Sequence, residues 1–160
     1  MAFGSAPFRR TRSGAYRLRL SPAERGLLRS LALELAGQVA DPRDDPGLVR
    51  LFPPAYDADE QADAEYRELL GDSLRDQRSG ELALLAETSD RDELSAEELH
   101  SWLTALNDLR LALGTRLGVT EDLYERFDLS DEPPDDLRIY LYLTWLQEEL
   151  VDVAPLDPGA

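Results

Sequence analysis

The apolar residues of this chain are mostly Leu and Ala, and this feature most limits the folds available to it. Among 160 residues there are 31 Leu and 18 Ala, but only 5 Val and 1 Ile. β-Branched residues suit strands because their χ1 angle is restricted, whereas Leu and Ala lose little freedom in a helix. We therefore expect a mainly α-helical protein with a core built largely from Leu.

Helix start and stop signals predict a single-domain bundle of about five helices. Ser21–Glu24 and Ser95–Glu98 both have the Ser-x-x-Glu pattern of a capping box, and Gly118 is a natural helix end. The helices are predicted over residues 22–37, 58–88 with an interruption at Gly80, 96–117, 121–127 and 135–151, with one helical turn at 47–52. A chain of this length usually forms one domain, which we place at residues 15–152.

The charge is divided unevenly along the chain. The first twenty residues carry five Arg and no acid, a charge of +5, whereas the remainder carries a charge of −21. We predict a disordered basic arm over residues 1–14 and a disordered tail over 153–160. The arm and the residues after it supply the candidate contacts for nucleic acid or a protein partner, which are Arg9, Arg10, Arg12, Arg17 and Arg19. A solvated, flexible tail is the alternative interpretation of these Arg residues.

One short strand is predicted after the arm. Tyr16, Leu18 and Leu20 alternate with Arg17 and Arg19, the period-2 pattern of a half-buried strand. A lone strand needs a partner, and the sequence offers no clear second one.

Arg110 and Asn107 stand out as polar residues on an apolar helix. Arg110 falls within the Leu stripe of the predicted helix 96–117, and Asn107 flanks it. A buried guanidinium needs a carboxylate or carbonyl partner. We predict a structural polar network at Asn107 and Arg110, and a pocket for a carboxylate or phosphate remains the alternative.

The last predicted helix is apolar on two opposite faces. One face holds Leu137, Tyr140, Leu141 and Thr144, and the other holds Ile139, Tyr142, Leu146 and Leu150. A helix with two apolar faces is buried on both. It is therefore either the central helix of the bundle or a helix shared with a partner chain. In the second case the face of Ile139, Tyr142, Leu146 and Leu150 is the candidate self-association face of a homodimer.

The residues indicate neither catalysis nor metal binding. The chain has no Cys and a single His, His100, so we expect no thiol chemistry and no Cys-ligated metal. An acidic run over 57–68 resembles a calcium loop, but it has Ala62 where that loop needs Gly. We therefore expect no catalytic residue, no metal site, no cofactor and no enzymatic activity.

No apolar run approaches the ~18–20 residues that span a bilayer, and no apolar segment follows the N-terminal Arg residues. We therefore expect a cytoplasmic protein without a membrane partner.

Two segments resemble an actinobacterial family named for the oxidative stress transcriptional regulator AosR, a family long classed as a domain of unknown function. Residues 102–118 read WLTALNDLRLALGTRLG, and residues 45–56 read DPGLVRLFPPAY. The resemblance covers residues 16–151. It implies a cytoplasmic regulator of redox homeostasis that works with an alternative sigma factor at stress promoters.

The resemblance also implies a sensing mechanism and a second role. Sensing in the family is ascribed to an intramolecular disulfide, but this chain has no Cys and cannot sense oxidant by thiol chemistry. The genes of the family often neighbour a Clp protease adaptor, so an acidic protein-binding adaptor in Clp-type proteolysis, without DNA binding, is the alternative function.

Overall fold

The computed structural model describes residues 6–40, 60–118 and 135–154. They form four helices, α1 Pro22–Ala40, α2 Glu60–Thr88, α3 Ala96–Leu117 and α4 Asp135–Val153. Three short strands, β1 Phe8–Arg10, β2 Tyr16–Leu18 and β3 Glu93–Leu94, make one small sheet. The prediction of a mainly α-helical domain is confirmed. The helical turn predicted at 47–52 and the helix predicted at 121–127 lie outside the described residues.

Both predicted capping boxes are present at the starts of α1 and α3. The Ser21 hydroxyl accepts from the Glu24 N–H at 3.1 Å, and the Glu24 carboxylate accepts from the Ser21 N–H at 2.7 Å. Ser95 and Glu98 make the same two bonds. Each box satisfies backbone donors that a helix start would otherwise leave unpaired. The Ser-x-x-Glu patterns therefore predicted the first residues of α1 and α3 correctly.

The predicted interruption of α2 at Gly80 is wrong. α2 continues through Gly80 to Thr88 without a break. One Gly inside a helix costs only about 1 kcal/mol relative to Ala. Burial of Leu82 and Leu85 directly after it outweighs that cost.

The three strands are antiparallel in the order β1-β2-β3. The predicted strand at Tyr16–Leu18 is confirmed as β2, and it has a partner on each side. The prediction of a disordered arm is wrong for Phe8–Arg10, which pair with β2 in the register Phe8↔Leu18. The disordered tail predicted for 153–160 begins within α4, and residues 155–160 lie outside the described chain.

Trp102 occupies the middle of the core. Its side chain is fully buried, and the indole Nε1–H donates to the Thr88 hydroxyl at 2.7 Å. Thr88 in turn donates to the Leu84 carbonyl at 2.6 Å. The ring of Phe8 meets the indole edge-on, with the ring centroids 6.1 Å apart. One side chain thus joins α3 to the end of α2 and to β1.

The proposed self-association face of α4 lies inside the molecule, so that prediction is wrong. Tyr142, Leu146 and Leu150 are buried in the main core, and Ile139 packs against it. Burial, together with the negative charge of Glu24, raises the pKa of Tyr142. α4 packs against α3 and also contacts β1. Intramolecular neighbours therefore cover this face.

Close approach of α3 and α4 depends on Gly114. A Cβ at this position would lie 3.0 Å from Cε2 of Tyr140, closer than packed carbon atoms normally sit. Gly114 is itself buried. The small residue therefore leaves the space that the Tyr140 ring occupies.

Arg25 ties α1 to the loop that follows α2. Its guanidinium donates to the carbonyls of Ser89 at 2.9 Å and Arg91 at 2.6 Å. It also donates to Leu20 at 3.0 Å and Leu18 at 3.3 Å, next to the end of β2. Only Arg can satisfy several carbonyls with one planar fork of donors. No sequence pattern indicates this contact, because its partners come from two segments that are far apart along the chain.

We expect Arg25→Ala to lower the free energy of unfolding by about 3 kcal/mol, because several carbonyls lose a charged donor. Arg29→Ala is the matched control. Arg29 lies one turn further along α1, and its ion pair with Asp90 is exposed and 3.7 Å long, so its loss should cost less than about 1 kcal/mol. Urea unfolding followed by circular dichroism measures both. Equal losses in the two variants would contradict the role given to Arg25.

Candidate functional site

A β-hairpin carries all five Arg residues of the N-terminal region. Residues 11–15 connect β1 to β2. The Gly14 N–H donates to the Thr11 carbonyl at 3.1 Å, and the Thr11 N–H donates to the Ala15 carbonyl at 2.8 Å. Gly14 has φ of 87°, in the left-handed region where Gly has no steric cost. This closed turn fixes the register of the two strands.

The hairpin has one buried face and one charged face. Tyr16, Leu18 and Leu20 are buried, whereas Arg17 and Arg19 between them are exposed. Side chains alternate across a strand, and directly opposed residues share a face. Arg9 lies opposite Arg17. Arg9, Arg17 and Arg19 therefore share the outward face, which we call the arginine face.

The arginine face places like charges side by side. The Cβ atoms of directly opposed residues such as Arg9 and Arg17 lie about 5 Å apart, and like charges in that position are destabilising. On the other side, Arg17 lies opposite Glu93 and pairs with it at 3.6 Å. Both side chains of that pair are about half exposed, at 57% and 45%, so the pair stabilises little. Among the described residues, it is the one ion pair that the five Arg side chains make.

The other two Arg residues sit at the end of the hairpin. Arg10 is the last residue of β1, opposite Tyr16, and is exposed. Arg12 is exposed within the turn. The structure thus gathers the five predicted contact residues onto one ordered element, although their contact with a partner stays a prediction.

Phe8 anchors the hairpin to the core. It is 2% exposed and packs edge-on against Trp102. Edge-to-face aromatic pairs contribute about 0.5–1.5 kcal/mol beyond their buried area. Phe8 was not predicted to be buried, although a large apolar residue among small and charged ones is a signal for burial. The arginine face is consequently held in a fixed position on the body.

We expect Phe8→Ala to release the hairpin and to cost about 3 kcal/mol of stability, the usual range for a buried Phe. Loosening should show as faster tryptic cleavage after Arg10 and Arg12. It should also shift the emission of Trp102 to longer wavelength in a Trp145→Phe background. Phe8→Leu, which keeps apolar volume, should change both much less. Equal cleavage rates in wild type and Phe8→Ala would contradict the anchoring role.

The predicted polar network at Asn107 and Arg110 is present only in part. The Asn107 side-chain oxygen accepts from Gln147 at 3.3 Å, which links α3 to α4. Arg110 is only partly buried, and no described carboxylate forms an ion pair with it. The buried face of α3 includes Ala105 and Ala112 and is centred away from Arg110. The prediction of a buried Arg110 is wrong because it weighed only the Leu residues.

The buried charge on α3 is Asp108 instead. Its side chain has no exposed surface, and Oδ1 accepts from Nη1 of Arg78 on α2 at 2.5 Å. Oδ2 of Asp108 and Oε2 of Glu81 are buried with no hydrogen-bond partner among the described residues. Burial, with a smaller contribution from the charge of Glu81, raises the pKa of Asp108 to about 6 against the opposing effect of Arg78. No local sequence signal identifies this pair, since its members lie on different helices.

The raised pKa of Asp108 predicts a specific pH dependence of stability. Between about pH 4 and pH 6 the folded state keeps a proton that the unfolded chain has released. The protonated Asp108 therefore contributes to the free energy of unfolding fully below pH 4, and this contribution is lost as the pH rises through 6. The loss is about 3 kcal/mol, since one pKa unit corresponds to about 1.4 kcal/mol.

We expect Asp108→Asn to remove this loss, so that the variant gains stability relative to wild type between about pH 4 and pH 7. Asp136→Asn, which changes an exposed acid in the first turn of α4, is the control and should show no such gain. Urea unfolding at a series of pH values measures the difference. A stability difference between wild type and Asp108→Asn that stays constant with pH would contradict the assignment.

The described part of the chain contains neither a metal-binding cluster nor a membrane-spanning helix. No three His, Asp or Glu side chains there converge as ligands for a metal ion. None of the four described helices is long and apolar enough to cross a membrane.

Comparison with known proteins places this fold in a family. The model of a family described as Domain of unknown function (DUF2017) matches residues 5–154. A Mycobacterium bovis protein named Oxidative stress regulator AosR is 30% identical over 181 aligned positions, covering 88% of this chain and 83% of the relative. The protein of the same name from Mycobacterium tuberculosis H37Rv matches to the same extent.

A Mycobacterium leprae relative named after the same regulator is 33% identical over 133 positions. That match covers 72% of this chain and 61% of the relative. No solved structure matches the chain. The resemblance seen in residues 102–118 and 45–56 is confirmed, since these relatives are named for AosR, and the chain belongs to the DUF2017 family.

Proposed function

We propose that this chain is a non-enzymatic regulator of the stress response that acts by binding macromolecular partners through two oppositely charged surfaces. The names of its relatives support the regulatory role, because proteins at 30–33% identity are named oxidative stress regulators. The structure supports the binding mode through the position of its charges.

The observation that carries the proposal is an arginine face fixed on an acidic body. The first twenty residues have a charge of +5 and the remainder has −21. Phe8 is buried against Trp102, so the basic surface keeps a constant position relative to the acidic one. Separated patches of opposite sign steer association and fix the orientation of a partner.

The last two turns of α4 provide an acidic surface for a basic partner. Glu148 and Asp152 are exposed there, and the last turn contains no basic residue. Acids at a helix C-terminus oppose the helix dipole and cost about 0.3–1 kcal/mol each. Helix stability therefore does not explain these residues, whereas attraction of a basic surface does. We propose a basic region of a sigma factor as the partner of this surface, with the arginine face toward DNA.

The signal reaches this protein through its partner in our proposal. The chain has no Cys, so it has no thiol to oxidise. A partner that itself responds to oxidant would then change its affinity for the acidic surface. Regulation of this kind requires only contact surfaces on the chain described here.

We expect Glu148→Gln combined with Asp152→Asn to weaken capture of a sigma factor from lysate of oxidant-treated cells. Glu87→Gln combined with Asp76→Asn is the matched control, because it removes two exposed acids from α2 and changes the net charge equally. When each variant is expressed in a strain that lacks the wild-type gene, the two variants should differ in how strongly stress transcripts are induced. The α2 control should restore induction, and the α4 variant should not.

Two results would contradict the proposal. One is full induction of stress transcripts in the deletion strain. The other is capture of a Clp protease component without any sigma factor, together with unchanged transcripts, which would favour the adaptor function instead.

A further inference from the structure

We propose that the arginine face binds the phosphate backbone of duplex DNA without reading base sequence. This inference rests on the proposed function and names the ligand of one of its two surfaces. The candidate surface consists of Arg9, Arg17 and Arg19, with Arg10 and Arg12 at the end of the hairpin. All five side chains are exposed.

The spacing of the guanidinium groups suits a row of anions. Arg9 and Arg17 face each other across the ladder. Arg19 follows the end of β2 and lies about 7 Å beyond Arg17, two residues at the usual rise of a strand. The Arg19 N–H bonds to the Pro7 carbonyl, so Arg19 stays in register with the hairpin. Arg binds phosphate through paired N–H donors. Anions between the side chains would also remove the repulsion of Arg9 by Arg17.

The hairpin does not have the form of a groove-reading ribbon. A two-stranded ribbon reads bases by entering the major groove, which is about 12 Å wide. Here the inner face is occupied, since Phe8, Tyr16 and Leu18 are 2–4% exposed and belong to the core. β3 also pairs with β2, so the hairpin is part of a three-stranded sheet and is not a free two-stranded ribbon. Its outward face can lie on the backbone, where contacts give position but no sequence information.

The same packing favours duplex over single-stranded nucleic acid. Proteins that bind single strands stack bases on exposed aromatic side chains. The aromatic residues of the hairpin, Phe8 and Tyr16, are both buried. The exposed positions between the buried ones on β2 hold Arg only. The hairpin can then bind nucleic acid only through electrostatic contacts with phosphates. A duplex carries a higher density of phosphate charge than a single strand.

The acidic body confines this contact to the hairpin. The body carries a charge of −21, which repels DNA. At physiological salt, charges are screened over about 8 Å. The attraction between DNA and the Arg side chains that touch it therefore persists, whereas the repulsion between DNA and the more distant acids is weakened. The contact is therefore small, with three to five phosphates engaged.

The test is the salt dependence of DNA binding by the full chain, measured by fluorescence anisotropy with two duplexes of unrelated sequence. Arg9→Gln combined with Arg19→Gln is the test variant. Arg29→Gln combined with Arg138→Gln is the matched control, because it removes two exposed Arg residues from helices α1 and α4 and changes the net charge equally. Thermal unfolding followed by circular dichroism shows that each variant is folded.

We expect the logarithm of the wild-type affinity to fall with the logarithm of salt concentration at a slope of about −3 to −4, equal for both duplexes. In the test variant the slope should be shallower by about 2, and DNA binding should be weaker by on the order of 60-fold at ~0.1 M salt. The control should keep the wild-type slope. A single strand of equal length should bind more weakly than either duplex.

Several results would overturn the inference: equal losses in test and control variants, a clear preference for one duplex, or tighter binding of polyglutamate than of DNA. The last would assign the arginine face to an acidic protein. Failure here is distinguishable from failure of the proposed function. If DNA binding is insensitive to Arg9 and Arg19 while sigma-factor capture depends on Glu148 and Asp152, only this inference fails. If the hairpin binds DNA but deletion leaves stress transcripts unchanged, only the proposed function fails.

Discussion

Burial of Trp102 is the constraint on which the rest of the structure depends. The indole needs a hydrogen-bond acceptor once it is out of water, and Thr88 at the end of α2 supplies it. It also needs apolar cover, to which Phe8 in β1 contributes. Satisfying one side chain thus joins the N-terminal hairpin, the end of α2 and the start of α3. Because the hairpin is held through this contact, the position of its charges is a property of the core.

The sequence predicted features that depend on neighbouring residues and missed those that depend on distant ones. The starts of α1 and α3 were predictable because Ser21 and Ser95 each find their capping partner three residues later. The strand β1 was not predictable, because pairing with β2 and burial of Phe8 require Trp102, a residue far along the chain. A period-2 pattern needs several residues to show, and β1 has three.

The polar residues of the core show a second limit of sequence reasoning. A helical wheel centred on Leu placed Arg110 inside the core, but Ala105 and Ala112 carry the buried face of α3 toward Asp108. Small residues mark where helices approach closely, and a hydrophobicity count undervalues them. Asp108 could not be identified without knowing that Arg78 of α2 lies beside it. The five Arg residues of the hairpin were predicted as one group of contacts, but the ordered element that carries them was not foreseen.

Both charged surfaces hold charges at positions where the local structure disfavours them. Arg9 and Arg17 face each other across a ladder, where like charges are unfavourable. Glu148 and Asp152 stand in the last turns of α4, where the helix dipole disfavours acids. At the two capping boxes and at Gly118, whose φ of 66° ends α3, local preference and structure agree. Natural sequences depart from local consistency mainly at functional sites. An anion along the hairpin and a basic surface against α4 would each relieve the local repulsion, so binding and stability would change together at both surfaces.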